Sequence, residues 1–532
     1  MNNNKSKRAL LGGSALALLG AIAAPTTVSA MDGASVLQEK CLICHTRTGD
    51  PEAPYSRISQ QRKTPEGWHM TINRMQRLNG LVISPQEKQA VIQYLADTQG
   101  LAPSETAPYR YVLEQQPNVV EQDIDPAYVE MCARCHSSAR FGLQRRTEAE
   151  WKLHVNTHMA INPTTELHAL ARDRSWYDIA LNDTAPKLAK DFNFHDAAWK
   201  KWQAAPKPEL AGRWSVAGFL PEQGDYSATL TITPTSNNRF ELTLDGHFVD
   251  GTALKGSGKA KLYAGYEWRA QLNVNGTKMR QVMAASEDGQ QLTGRMYQVG
   301  RDEMGGEINA HVGTAIAGVS PAAIKQGAVQ EITIMGSELK GNVSLGRGVS
   351  VEKVLTRDND RIVVLARAQK NATVGARDVR VGQSRGQQAL AVYDQVARVA
   401  VVPAESIARV GGNGGLVPKV QSTYRAQAFS AGPDGKAGTA DDLNLGYMPA
   451  NWSVAPFNET AEHDKDTKYA GSIDQQGIFT PGDAGLNPER KFSTNNLGNL
   501  KVVASMGEGD EQVSGDAHLL VTVPVYIKRA VQ

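Results

Sequence analysis

The sequence predicts a multidomain α + β chain, with a mostly helical N-terminal unit followed by three antiparallel β units. Three observations carry this reading. The hydrophobic period is helical through about Trp202 and changes to a period of two beyond the break Gln203-Ala204-Ala205-Pro206-Lys207-Pro208. A length of 532 residues has room for about three to four domains at ~150 residues each. The four cysteines all lie at or before Cys135. The β units therefore have no disulfide to pin them and must be held by burial between sheets.

Lys plus Arg number 57 and Asp plus Glu 55, a formal charge of +2. That balance argues against a nucleic-acid binder working through a strong basic field. Apolar residues make up 41% and charged residues 21%, a soluble globular composition. Residues 1–30 resemble a cleaved export signal. Lys5, Lys7 and Arg8 precede an apolar run at 10–24, and Val28-Ser29-Ala30 supplies small residues for cleavage. The apolar run is shorter than the ~20 residues of a membrane span, and no later run reaches that length, so no membrane span is expected. Cleavage leaves 54 cations against 55 acids, a charge of −1.

Cys41-Leu42-Ile43-Cys44-His45 and Cys132-Ala133-Arg134-Cys135-His136 are both C-x-x-C-H motifs. In such a motif the two thiols add to the vinyl groups of a porphyrin and the adjacent imidazole ligates the iron. One helical turn sets both sulfurs on one edge of the ring and swings the imidazole under the metal. A bare C-x-x-C also serves zinc or dithiol chemistry. Here both copies carry the His, and all four cysteines are consumed. In an exported chain a free dithiol pair would tend to oxidise. Two covalently bound haem c groups are expected, attached at Cys41, Cys44, Cys132 and Cys135, with His45 and His136 as proximal ligands. Haem attachment of this kind points to the bacterial periplasm.

An internal repeat nominates the distal ligands. Gln61-Arg62-Lys63-Thr64 is followed by Trp68 and Met75, and Gln144-Arg145-Arg146-Thr147 by Trp151 and His158. The offsets from Thr are +4 and +11 in both copies. Pro65 stands at the first helical position after Thr64, and Thr147 with Glu150 makes a capping box. Seven residues is nearly two helical turns, so each Trp shares a face with its +7 residue. Met75 is expected on the first iron and His158 on the second. His154 lies close to the face of His158, and His69 points away from the Trp face. Ser84-Pro85-Gln86-Glu87 opens a further capped helix with Val91, Tyr94 and Leu95 as its stripe.

Beyond the break, 228–233 and 240–244 alternate around Ser236-Asn237-Asn238. Residues 272–274 meet 277–282 across Asn275-Gly276, a strong hairpin signal. Residues 209–312 read as an antiparallel, barrel-like domain. Short strands at 330–335, 348–354, 362–366 and 379–381 have sandwich-like spacing. With Ser320-Pro321 and Ile332-Thr333-Ile334-Met335-Gly336-Ser337 they resemble an immunoglobulin-like module over 313–395. A last immunoglobulin-like unit, 396–532, ends in an alternating strand at 519–527. No P-loop, G-x-S-x-G or H-E-x-x-H accompanies these units, so the chemistry is confined to a dihaem cytochrome c domain at 31–205.

The two haem motifs, their Gln-Arg-Lys/Arg-Thr repeat and the order of the β units together resemble the alpha subunit of quinohemoprotein amine dehydrogenase. The resemblance spans essentially the whole mature chain. It implies a periplasmic heterotrimer in which a small gamma subunit carries cysteine tryptophylquinone and a beta subunit forms a propeller. Primary amines would be oxidised there to aldehyde and ammonia. It implies that this chain has no catalytic residue of its own and passes electrons from the quinone to an external copper protein or cytochrome c. With every cysteine committed to haem, none here can crosslink to a Trp. The alternatives are a dihaem cytochrome c peroxidase, a haem subunit of another quinoprotein dehydrogenase, and a non-enzymatic carrier or adhesion protein.

Overall fold

The computed structural model describes residues 32–524 apart from 237, 314–315, 413–416, 433 and 493. The expected signal at 1–30 lies outside the described residues. Among those described, no helix is long and apolar enough to cross a membrane.

The helical unit has two lobes. In the first, α1 (Gly33–Lys40) is capped by the Asp32 carboxylate and runs into Cys41. The Thr64 hydroxyl accepts the Gly67 N–H and starts α2 (Pro65–Leu78), with Pro at its first position. Ser84 and Glu87 cap α3 (Pro85–Thr98) reciprocally, as the sequence predicts. Val36, Leu37, Trp68, Ile72, Val91 and Leu95 form the core of this lobe. The second lobe is built around the helix Glu148–Ile161, with Tyr128, Met131, Trp151, Val155 and Trp176 in its core. The expected capping box at Thr147 is only half formed. Its hydroxyl accepts the Glu150 N–H at 3.3 Å, but the Thr147 N–H is already held by the Gln60 carbonyl at 3.2 Å. The Glu150 carboxylate turns instead to Arg57 and Arg146.

The lobes meet through the repeat itself. β1 (Gln61–Lys63) and β2 (Gln144–Arg146) pair antiparallel, with Gln61 opposite Arg146, Arg62 opposite Arg145 and Lys63 opposite Gln144. The two copies of one motif thus form a single ladder around a local two-fold.

Eight strands, from Gly212–Leu220 to Arg301–Val312, close a barrel. Each pairs antiparallel with its neighbour in sequence, and the last pairs with the first. Trp214, Tyr226, Phe248, Tyr266 and Trp268 fill its interior. The hairpin at Asn275-Gly276 forms as read. Val274 pairs with Thr277 across a turn whose central residues have φ of 47° and 87°, the geometry of a type I′ turn. The helical unit docks on this barrel. The Trp202 indole N–H donates to the Ala264 carbonyl at 2.7 Å, and the Asp97 carboxylate accepts the Ala264 N–H at 2.7 Å.

After the barrel, two four-stranded sheets share one core that includes Ile332, Ile334, Val364, Val379 and Leu390. The four strands expected there are present as Val329–Gly336, Val349–Arg357, Arg361–Ala368 and Gly375–Val381. Ala323–Lys325 and Ser384–Tyr393, which pair in parallel, were not foreseen. The last β unit closes with Val513–Thr522, not with a strand at 519–527. Its partner Gly498–Met506 pairs with it from Val521 back to Val513, and that pairing sets its start. Residues 525–527 lie outside the described residues.

Candidate functional site

Each C-x-x-C-H motif is a single tight turn at the end of a helical segment. The Cys44 and His45 N–H groups both donate to the Cys41 carbonyl, at 3.2 and 3.0 Å. In the second lobe the short helical segment Val129–Ala133 carries Cys132, and the Cys135 N–H donates to the Cys132 carbonyl at 3.3 Å. The two turns present their sulfurs alike. Cys41 and Cys132 are half-buried against their lobe cores, and Cys44 and Cys135 are exposed. Burial raises the Cys41 thiol and pushes Cys132 up to about 12. A reactive dithiol needs the opposite shift, toward the thiolate.

The imidazoles of the two motifs are oriented through the same ring nitrogen. His45 Nδ1 lies 2.9 Å from the Ser56 carbonyl and His136 Nδ1 3.0 Å from the Ser137 carbonyl. With the Nδ1–H donating to a carbonyl, Nε2 keeps its lone pair for a metal.

The distal candidates lie where the helical register puts them. Trp68 and Ile72 on α2 are buried, and Met75 is half-buried one turn on, with its sulfur 3.7 Å from Asn79 Nδ2. His158 packs on Trp176 with ring centroids 5.0 Å apart, and its Nδ1 is buried without a partner. Burial, then the nearby charge of His136 and Arg140, holds His158 below the usual histidine range. The second lobe thus brings His158 and His136 together. His154 sits deeper, where burial and the cations Arg146, Lys63 and Arg74 push it well down. His69 is exposed beside Asn73, away from the core.

Several apolar side chains of the two lobes are exposed. In the first lobe Ile43 is 80% and Val82 85% exposed, with Leu78 also in solvent. In the second lobe Leu153, Ile161, Leu167 and Leu170 are exposed. A buried indole N–H without an acceptor, that of Trp151, completes a donor set suited to a porphyrin bearing carboxylates. The residues present fit haem c in both lobes. Sequence reasoning missed Lys63, Arg74, Arg146 and Glu105, which gather between the lobes. The basic character of the repeat was a signal for Lys63 and Arg146, whereas Arg74 and Glu105 lie outside it.

Comparison with known families agrees with this geometry. Four models of the quinohemoprotein amine dehydrogenase alpha subunit match in succession. They are its haem-binding region over residues 31–199, domain II over 207–312, domain III over 313–394 and domain IV over 399–531. The chain belongs to this family. In a family alpha subunit the haem-binding region coincides with the two lobes, and domain II with the closed barrel. No curated protein sequence matches the chain. Among solved structures, a redesigned β-barrel has 20% identity over 19% of this chain and 91% of its own, with a TM-score of 0.17. Domains 4–9 of the surface layer protein SbsC have 10% identity over 58% of this chain and 47% of that one, TM-score 0.16. A SusE-like surface polysaccharide-binding protein from Bacteroides thetaiotaomicron has 11% identity, covering 60% and 57%, TM-score 0.13.

Proposed function

We propose that this chain is the dihaem electron-transfer subunit of a periplasmic amine dehydrogenase complex. The observation that carries it is the pair of C-x-x-C-H turns, each backed by an oriented imidazole, within a chain whose four segments match the family's alpha subunit. Cys41, Cys44, Cys132 and Cys135 would anchor two haem c groups. His45 and His136 would bind the irons through Nε2, while Ser56 and Ser137 hold the rings in place. Met75 and His158 would take the sixth positions. When bound, each haem supplies a one-electron ferric/ferrous couple whose potential follows its axial ligands.

Met/His ligation raises the potential relative to His/His. Electrons would therefore run from the His158 lobe to the Met75 lobe. They would come from a cysteine tryptophylquinone in a gamma subunit, where primary amines become aldehyde and ammonia, beside a beta subunit forming a propeller. They would leave to a copper protein or cytochrome c. The expected units are a signal at 1–30, the haem domain at 31–205, the barrel at 209–312 and immunoglobulin-like sandwiches at 313–395 and 396–532.

The test is purification of the native complex, intact mass of this chain, and a quinone stain of its companions. Two haem increments, a small quinone-positive subunit and haem reduction by n-butylamine but not by ethanol or glucose support the reading. Peroxide turnover by the isolated chain, or no increment, overturns it.

A further inference from the structure

We infer that Lys63, Arg74 and Arg146 form a carboxylate-binding cluster that receives haem propionates at the seam between the two lobes. The inference rests on the haem reading above.

The cluster follows from a difference between the two copies of the repeat. Lys63 and Arg146 are equivalent, and each lies over the equivalent indole. Lys63 Nζ is 5.1 Å from the Trp68 ring and the Arg146 guanidinium 5.4 Å from the Trp151 ring. Arg146 has a counter-charge one turn on, Glu150, at 3.1 Å. In the first copy that position is Gly67, so Lys63 has none. Its ammonium donates to the Thr71 hydroxyl at 2.7 Å, although the residue is only 3% exposed.

The charged neighbours of Lys63 are Arg146, Arg74, Arg57 and the single carboxylate of Glu150. That carboxylate is already committed. It accepts from Arg57 at 3.2 and 3.1 Å, from Arg146 at 3.1 Å and from Gln61 at 3.4 Å. Arg74 has no carboxylate partner among the described residues. Lys63 and Arg146 are buried, while Arg74 is half-buried and Arg57 exposed, so the two buried cations share one committed carboxylate, which is unfavourable unless a further anion joins them.

An independent observation points the same way. Trp68 Nε1 donates to the Gln99 carbonyl at 3.1 Å, while its equivalent, Trp151 Nε1, is buried without an acceptor. The position of the cluster names the anion. Arg74 neighbours Met75 in sequence and lies near Arg140, which in turn acts on His136 and His158. Arg74 thus stands next to the first candidate iron ligand and, through Arg140, near the second site, and each attached porphyrin would carry a pair of propionates. Cations paired with those carboxylates favour ferrous iron.

The test uses the full chain with its haems attached, in four forms: wild type, Lys63→Met, Lys63→Arg and Trp151→Phe. Lys200→Met, at an exposed position, is the control. Intact mass, the midpoint potential of each haem and the resonance Raman propionate-bending bands are recorded. Lys63→Met should keep both haem increments and lower at least one midpoint by a tenfold change in the ferrous/ferric ratio, ~59 mV for one electron. It should also move a propionate band. Lys63→Arg should restore both signals, and Trp151→Phe should move a propionate band by itself. Lys200→Met should match wild type. Haem-loaded Lys63→Met and Trp151→Phe with unaltered midpoints and bands would overturn the inference while leaving the haem reading intact. So would a shift that depends on added phosphate, which would assign the cluster to a free anion. If Lys63→Met does not fold, the Trp151→Phe band decides. A wild-type chain without haem increments overturns the functional reading and this inference with it.

Discussion

Arg62 and Arg145 stand opposite each other at the centre of the β1–β2 ladder, and one carboxylate, that of Glu105, serves both. Glu105 pairs with Arg62 at 2.9 Å through each oxygen and with Arg145 at 2.9 Å. Arg62 also donates to the Gly100 and Phe194 carbonyls, at 3.1 and 3.0 Å. These three charged side chains are buried. The guanidiniums come from equivalent positions of the repeat, so the carboxylate sits near the local two-fold that relates the lobes. This seam joins the two lobes.

Glu105→Ala leaves two buried guanidiniums without a counter-charge. Breaking such a pair costs about 3–5 kcal/mol. Urea unfolding followed by far-UV circular dichroism should show the helical signal lost at markedly lower denaturant. A change under about 1 kcal/mol would mean that the seam does not depend on this carboxylate.

Exchange of the two distal side chains tests their assignment. In Met75→His the first haem should fall in potential, and in His158→Met the second should rise, following the axial-ligand rule. Spectroelectrochemical titration of the double variant should show the order of the two potentials reversed. An unaltered order would remove Met75 and His158 as ligands.

Asp191 offers a pH test in the second lobe. Hydrogen bonding from Lys187, reinforced by Tyr128, holds its carboxyl below the ordinary value of 3.8. Tyr128 donates to it at 2.9 Å and Lys187 at 2.7 Å. A depressed folded pKa contributes stability that is present above 3.8 and lost as pH falls through the lower, folded value. The melting temperature of wild type should therefore exceed that of Asp191→Asn by a constant margin at neutral pH. That margin should shrink only in acid below 3.8. A margin unchanged there would rule out the carboxylate as its source.

Gly276 isolates a backbone effect. A Cβ at this position would meet nothing within 4 Å, but φ is +87°. Gly276→Ala should cost ~1–2 kcal/mol through conformation alone. Thermal unfolding of the barrel would read it, and a neutral result would show that the hairpin relaxes to another turn.

Much of the site was legible because its signals are local. The C-x-x-C-H turns, the Thr64 and Ser84 caps, the Trp68 and Trp151 faces and the Asn275-Gly276 hairpin each depend on residues within two helical turns or one tight turn. The errors arose where a distant group won. At Thr147 the expected capping box lost its second bond because the Gln60 carbonyl took the N–H and the distant Arg57, with the local Arg146, took Glu150. The last strand was placed too late because its register is set by Gly498–Met506 rather than by its own alternation. Parallel pairs such as Ala323–Lys325 with Ser384–Tyr393 leave no mark in hydrophobic period.

The amino-acid order alone determined the two C-x-x-C-H turns, the helix starts and the change from helical to extended period, since each rests on covalent neighbours and short-range sterics. Tertiary structure alone decided that the two repeat copies pair with each other, that Glu105 lies between Arg62 and Arg145, and that Lys63 is sealed among arginines. The first two outcomes join residues some forty to eighty positions apart, and the third brings Arg146 from across the chain to Lys63. They are chosen by which buried charges and apolar faces can be satisfied at once, a condition no local pattern records.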